Sequence, residues 1–119
     1  MDKWGALHAF WSGFGLPAYD AITVPESAVM PYITYEARVS DFDEKIGLTA
    51  SLWYRSTSWA EISRKAEDIS DALVQVKTIP LDVGYLYLTR GNPFAQRMTD
   101  EDDMVRRIYL VIMAEYLTP

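Results

Sequence analysis

Between Leu48 and Val74 a strict two-residue alternation runs without a break into an amphipathic helical period, and this junction constrains the fold more than any other stretch. Leu48, Ala50, Leu52 and Tyr54 fall on one side of an extended chain, and Thr49, Ser51, Trp53 and Arg55 on the other, as in a strand with one buried face. From Trp59 the period lengthens. Trp59, Ile62, Ala66, Ile69 and Leu73 form a helical stripe that Glu61, Arg64, Lys65, Asp68 and Asp71 avoid. Ser58 is placed to cap this helix, with Glu61 three residues on completing a capping-box pattern and an i,i+4 pair to Lys65.

The flanking segments supply more elements. Residues 3–12 carry Trp4, Leu7, His8 and Trp11 on one helical face, with Asp2 before them and Gly13 and Gly15 as stop signals. Residues 16–31 hold three prolines and little periodicity, which predicts an irregular connector long enough to be a functional or interface loop. Residues 32–40 alternate again, so 32–40 and 47–56 form an antiparallel hairpin across the polar turn 41–47. Residues 78–81 and 85–90 make a second hairpin, its first arm an edge because Pro80 cannot donate to a ladder. Gly91-Asn92-Pro93 is expected to end that hairpin, and residues 94–103 to form a mobile loop closing on an acidic run.

Residues 105–117 are apolar on both alternating faces, with Ile108, Leu110, Ile112, Ala114 and Tyr116 on one side and Tyr109, Val111, Met113 and Leu117 on the other. A helix also fits this segment, but its β-branched and aromatic enrichment favours a strand. A strand of that kind needs cover on both sides, from a helix and a loop or from a neighbouring subunit. The expected fold is thus one α+β domain, 1–119, with an antiparallel or mixed sheet of four to five strands packed against two helices.

Chemistry is sparse. The 119 residues carry a net charge of −6, which disfavours nucleic-acid binding, and no cysteine, which removes disulfides, thiolate metal sites and thiol nucleophiles. No apolar run is long enough to span a bilayer and no signal-peptide pattern opens the chain, so a soluble, unexported product is expected. The single histidine, His8, lies between Trp4 and Trp11 and reads as packing rather than as a catalytic base. No nucleophile elbow, phosphate loop, zinc-protease helix or dinucleotide fingerprint occurs, so no enzymatic role and no cofactor is expected. Asp100, Glu101, Asp102 and Asp103 lack the ligand spacing of a calcium loop and read as a solvated acidic run, flanked by Arg97, Arg106 and Arg107, that could pair between subunits. Most of the four Trp and eight Tyr have a packing role available. Trp53 points away from the buried face of its strand and is an interface candidate.

The stretch LTASLWYRSTSWAEISRKAEDISDAL, preceded by MPYITYE and followed by a glycine-punctuated strand and a long terminal strand, resembles the tail-completion or tail-terminator proteins of long-tailed, siphovirus-like bacteriophages and prophages. The matching motifs are Pro31-Tyr32-Ile33-Thr34-Tyr35, Leu52-Trp53-Tyr54-Arg55-Ser56 and Ser58-Trp59-Ala60-Glu61. The resemblance follows the order of elements along nearly the whole chain, while the 94–103 loop departs from it. It implies a virion subunit, assembled in the bacterial host cytoplasm. Such subunits form a homo-oligomeric ring, usually a hexamer, at the head-proximal end of the tail tube, where they stop tube polymerisation and present a surface to the head connector. Its partners would be copies of itself, the major tail tube protein and a head-tail connector or neck protein. It carries over no catalytic residue. Subunit contacts are then expected at Trp53, Arg106, Arg107, Tyr109, Val111, Met113 and the 16–31 loop. Tube or connector contacts are expected at Asp41, Asp43 and Glu44 and at Phe94, Arg97, Asp100, Glu101, Asp102 and Asp103. A neck connector subunit, or a small protein-interaction module unrelated to phages, are the competing readings.

Overall fold

The structure, a computed structural model, describes residues 1–36 and 45–117. The alternating segments become long strands because each has one face to bury. β3 (Lys45–Arg55) turns Leu48, Ala50, Leu52 and Tyr54 into the core, and β6 (Val105–Leu117) turns in Ile108, Leu110, Ile112, Ala114 and Tyr116. The two pair antiparallel over the full length of β3, Lys45 opposite Glu115 and Arg55 opposite Val105. β2 (Tyr32–Tyr35) pairs antiparallel with β3, as expected, and buries Ile33 and Tyr35. Residues 37–40 of the expected strand 32–40 and most of the 41–47 turn, including Asp41, Asp43 and Glu44, lie outside the described residues.

The α+β class holds, but the sheet has six strands rather than four or five, in the order β1-β2-β3-β6-β5-β4. Two departures account for this. The connector 16–31 contains a short strand, β1 (Ala18–Asp20), parallel to β2. Three residues are too few for periodicity to register. Gly91-Asn92-Pro93 does not end the second hairpin: β4 (Lys77–Pro80) pairs with the start of β5 (Tyr85–Met98), and β5 then runs through a bulge and resumes its pairing with β6. Arg90 faces Ile112 and Ala95 faces Leu110, so the bulged residues lie against Val111. Gly91 is required there by space. A Cβ at that position would sit 2.6 Å from Val111 Cγ1 and 2.7 Å from the Val111 carbonyl oxygen.

Both helices pack on the face of the sheet that carries the core. α1 (Lys3–Ser12) is capped by Asp2, whose carboxylate accepts the Gly5 N–H at 2.7 Å. Its buried residues are Ala6, Leu7, Phe10 and Trp11, one step round from the expected stripe: Trp4 is 49% exposed and His8 is exposed. His8 is nonetheless held, Nδ1 2.9 Å from the Tyr35 hydroxyl and Nε2 3.3 Å from Ser12 Oγ. α2 (Ala60–Ala72) buries Ile62, Ala66 and Ile69, with Leu73 just beyond it, as its period requires. Full burial of each Ile or Leu contributes ~1.5–3 kcal/mol. The capping box does not form. Trp59 occupies the N-cap, and Ser58 Oγ accepts only the Ala60 N–H, at 3.1 Å. Lys65 reaches Asp68 at 3.9 Å and the Phe14 carbonyl at 2.7 Å instead of Glu61, tying α2 to the end of α1.

Candidate interaction surface

A sheet with both helices on one side leaves its other face to be covered by something else. The strand pairing aligns outward side chains in rows across it. Tyr32, Trp53, Arg107 and Met98 make one row; Thr34, Ser51, Tyr109 and Gln96 the next; Thr49 and Val111 follow, then Gly47, Met113 and Thr89, then Lys45, Glu115, Tyr87 and Thr78. Trp53, Tyr109, Val111 and Met113 are half-buried by their neighbours on this face.

Polar groups fix the aromatic side chains in place. Trp53 Nε1 donates to Thr34 Oγ1 at 2.9 Å, and the Arg107 guanidinium lies 4.6 Å from the Trp53 ring and 5.9 Å from that of Tyr109. Arg107 Nε also donates to Ser51 Oγ at 3.1 Å, which gives that buried hydroxyl a partner. Tyr19 and Tyr32 stack edge-on at 5.7 Å and extend the aromatic strip to the sheet edge. Two shallow grooves indent the surface. One of about 420 Å³ runs between Ile22, Thr34, Ser51, Arg107 and Tyr109, and one of about 390 Å³ between Val76, Tyr87, Met113 and Leu117.

The structure therefore brings together Trp53, Arg107, Tyr109, Val111 and Met113 and separates Arg106 from them. Alternation sends Arg106 to the helix side, where its guanidinium lies 5.4 Å from the Trp59 ring and donates to the carbonyls of Thr57 (2.9 Å) and Asp103 (2.8 Å). Arg97 shares Trp59, at 4.8 Å. Phe94 and Arg97 belong to β5 and not to a mobile loop; Phe94 packs against the core. Asp100, Glu101, Asp102 and Asp103 form an exposed turn between β5 and β6. Asp102 accepts the Met104 N–H at 2.8 Å and faces Arg55 at 3.3 Å; the backbone bond, then Arg55, hold its carboxyl below the usual range. Its ion pair is made within the chain, with an arginine that spacing alone did not single out. Tyr19 and Tyr32 also belong to this surface; Tyr32 shares the parity of Thr34, the sequence signal that marks it. Among the described residues no three His, Asp or Glu converge to hold a metal ion.

A chain in the solved structure described as the virion of a native gene transfer agent particle has a similar fold, with a TM-score of 0.66 at 25% identity. The match covers 97% of this chain and 85% of that one. This chain shares its fold with a virion component. No family model and no curated protein matches it.

Proposed function

We propose that this chain is a structural subunit of a phage-like virion, which closes the head-proximal end of a tail tube as a homo-oligomeric ring and offers the head connector its joining surface. The observation that carries the reading is the near full-length likeness to a virion component, joined to a sheet face that the chain's own helices leave uncovered. The mechanism is surface complementarity rather than chemistry. One patch of each subunit meets a different patch of the next, and the rotation closes after a fixed number of copies, six in the family resembled. One ring end then matches the last ring of tube protein and ends its growth.

Trp53, Arg107, Tyr109, Val111 and Met113 suit a contact face: rigid aromatic groups with an arginine among them, and little side-chain entropy left to lose. The exposed turn carrying Asp100, Glu101 and Asp103 lies at the sheet end where β5 leaves off and β6 starts, and suits a charged axial contact with tube or connector. Residues 41–44 would serve as a second axial contact. Assembly takes place in the host cytoplasm before the virion is complete.

Negative-stain imaging with light scattering, across protein and salt concentration, tests the reading. Rings with a central hole that bind the ends of purified tail tubes are expected. A chain that stays monomeric at all concentrations and leaves tube ends bare refutes it.

A further inference from the structure

Among the described residues the sheet has two open edges that share the same rows. β4 pairs with β5 only as far as Leu88, so beyond the bulge residues 95–98 have β6 on one side and no strand on the other among the described residues. Ala95, Gln96 and Arg97 are exposed. In an antiparallel ladder alternate residues point N–H and C=O away from their partner, so this stretch presents unpaired backbone groups. β4 is blunted as an edge by Lys77 and Pro80, whereas 95–98 contains neither lysine nor proline. At the far side of the sheet β2 is the only strand partner of β1 among the described residues.

The register places these edges on the same rows. Ala18, Ile33, Leu52, Ile108 and Arg97 form one row; Tyr19, Thr34, Ser51, Tyr109 and Gln96 the second; Asp20, Tyr35, Ala50, Leu110 and Ala95 the third. Their directions also match. β1 and β2 run one way, β3 the other, β6 with β1, and β5 against it. In a ring whose copies are related by rotation without rise and whose sheets keep their right-handed twist, these shared rows bring β1 of one copy alongside residues 95–98 of the next in antiparallel orientation. Absence of rise is what makes a heterologous contact close into a ring rather than wind into a filament.

We infer that the copies are joined edge to edge, β1 of each completing the open edge of β5 in its neighbour, so that one sheet continues around the ring. The inference rests on the ring reading above and names its seam. Side chains agree with it. Shared rows put Tyr19 opposite Gln96 on the outer face. They put Asp20 opposite Ala95 on the helix face, diagonal to Arg97 and within reach of that long side chain. Beneath the β5 edge a groove of about 260 Å³, between Ser63 and Glu67 of α2 and Phe94 of β5 with Ile108 as floor, has room for side chains of an added strand. Ile22 and Val29, 89% and 78% exposed, follow β1 and would lose water at the seam.

The chain has no cysteine, so a cross-link reports one contact only. The double variant Tyr19→Cys/Gln96→Cys, oxidised at concentrations where rings form, should give a ladder of covalent oligomers ending at the ring number, because opposed Cβ atoms in a ladder are within disulfide reach. Each single variant, and Tyr19→Cys/Thr89→Cys, should give no ladder. Hydrogen exchange on the unmodified protein is the second measurement: amides in 95–98 should exchange about tenfold or more slowly in the ring than in dilute monomer. Rings that form with neither ladder nor protection overturn the edge-to-edge seam and leave the ring reading intact. A chain that never oligomerises overturns both.

Discussion

Gly91→Ala is the sharpest perturbation the fold offers, because it tests whether β5 passes through a bulge or ends. The added methyl would meet Val111 Cγ1 at 2.6 Å, its carbonyl oxygen at 2.7 Å and its Cβ at 2.9 Å. The two backbone-fixed contacts cannot be relieved by a rotamer change, so the β5–β6 ladder must spread. Overpacking of this kind costs about 1–3 kcal/mol. For a chain of this length each kcal/mol lowers Tm by roughly 3–6 °C, so a drop of about 3–18 °C is expected. Trimming the partner isolates the cause. Val111→Ala removes Cγ1 but leaves the carbonyl and Cβ, so Gly91→Ala/Val111→Ala should recover less than half of the loss in a double-mutant cycle. Urea unfolding followed by tryptophan fluorescence reads all four proteins, with the midpoint shifting at constant slope. A Gly91→Ala variant as stable as the parent would refute the close approach, and with it the passage of β5 through residues 91–94.

Ile69→Ala, at a fully buried position of α2, should cost about 2–5 kcal/mol, read as a lower denaturation midpoint. The Tyr116 hydroxyl is buried with no hydrogen-bond partner among the described residues, so Tyr116→Phe should leave stability unchanged or raise it by up to about 1 kcal/mol; a clear loss would mean the hydroxyl is bonded. Burial also pushes the Tyr116 phenol up to about 12, against an ordinary value of about 10. Between those pH values the unfolded chain has released the proton that the folded chain retains. Stability therefore falls as pH rises through that window, is unaffected by this group below it, and should fall less steeply in Tyr116→Phe when thermal melts are compared. Trp53→Ala should leave the monomer's melting cooperative while weakening the contact of the uncovered sheet face with a virion partner, read as reduced binding to purified tail tubes; unchanged binding would remove Trp53 from the contact face.

Long periodic elements could be read from the residues. The capped period 3–12 forms α1 with those bounds, the β-branched stretch 105–117 forms a strand, and α2 and β3 bury the positions their periods select. The errors fall where a local signal had a tertiary competitor. Gly-Asn-Pro is a turn signal, but the continuing β6 strand offers β5 a partner beyond it, and a bulge satisfies both. β1 carries no period of its own and exists because β2 presents a free edge. His8 and Trp4 lost the buried stripe by one step of helix rotation. Only the placement of α1 on the sheet decides that step. Arg106 and Arg107 look equivalent as neighbours in sequence, yet alternation in β6 sends them to opposite faces.

The residues by themselves determined which faces are apolar, because burial of a strand or helix face leaves a period in the chain, and they determined that chemistry is sparse, because nucleophiles and ligand sets are matters of composition and spacing. The stretch 48–74 carries that information almost complete. Tertiary structure decided which apolar face is covered and which is left. Both helices pack on the side of Leu48, Ala50 and Leu52, and this leaves Trp53, Tyr109 and Met113 as a surface. It also decided that the two open edges share the same rows, since strand register is set by long-range pairing between segments up to 90 residues apart, such as Ala18 and Ile108 in one row, a separation no local pattern records.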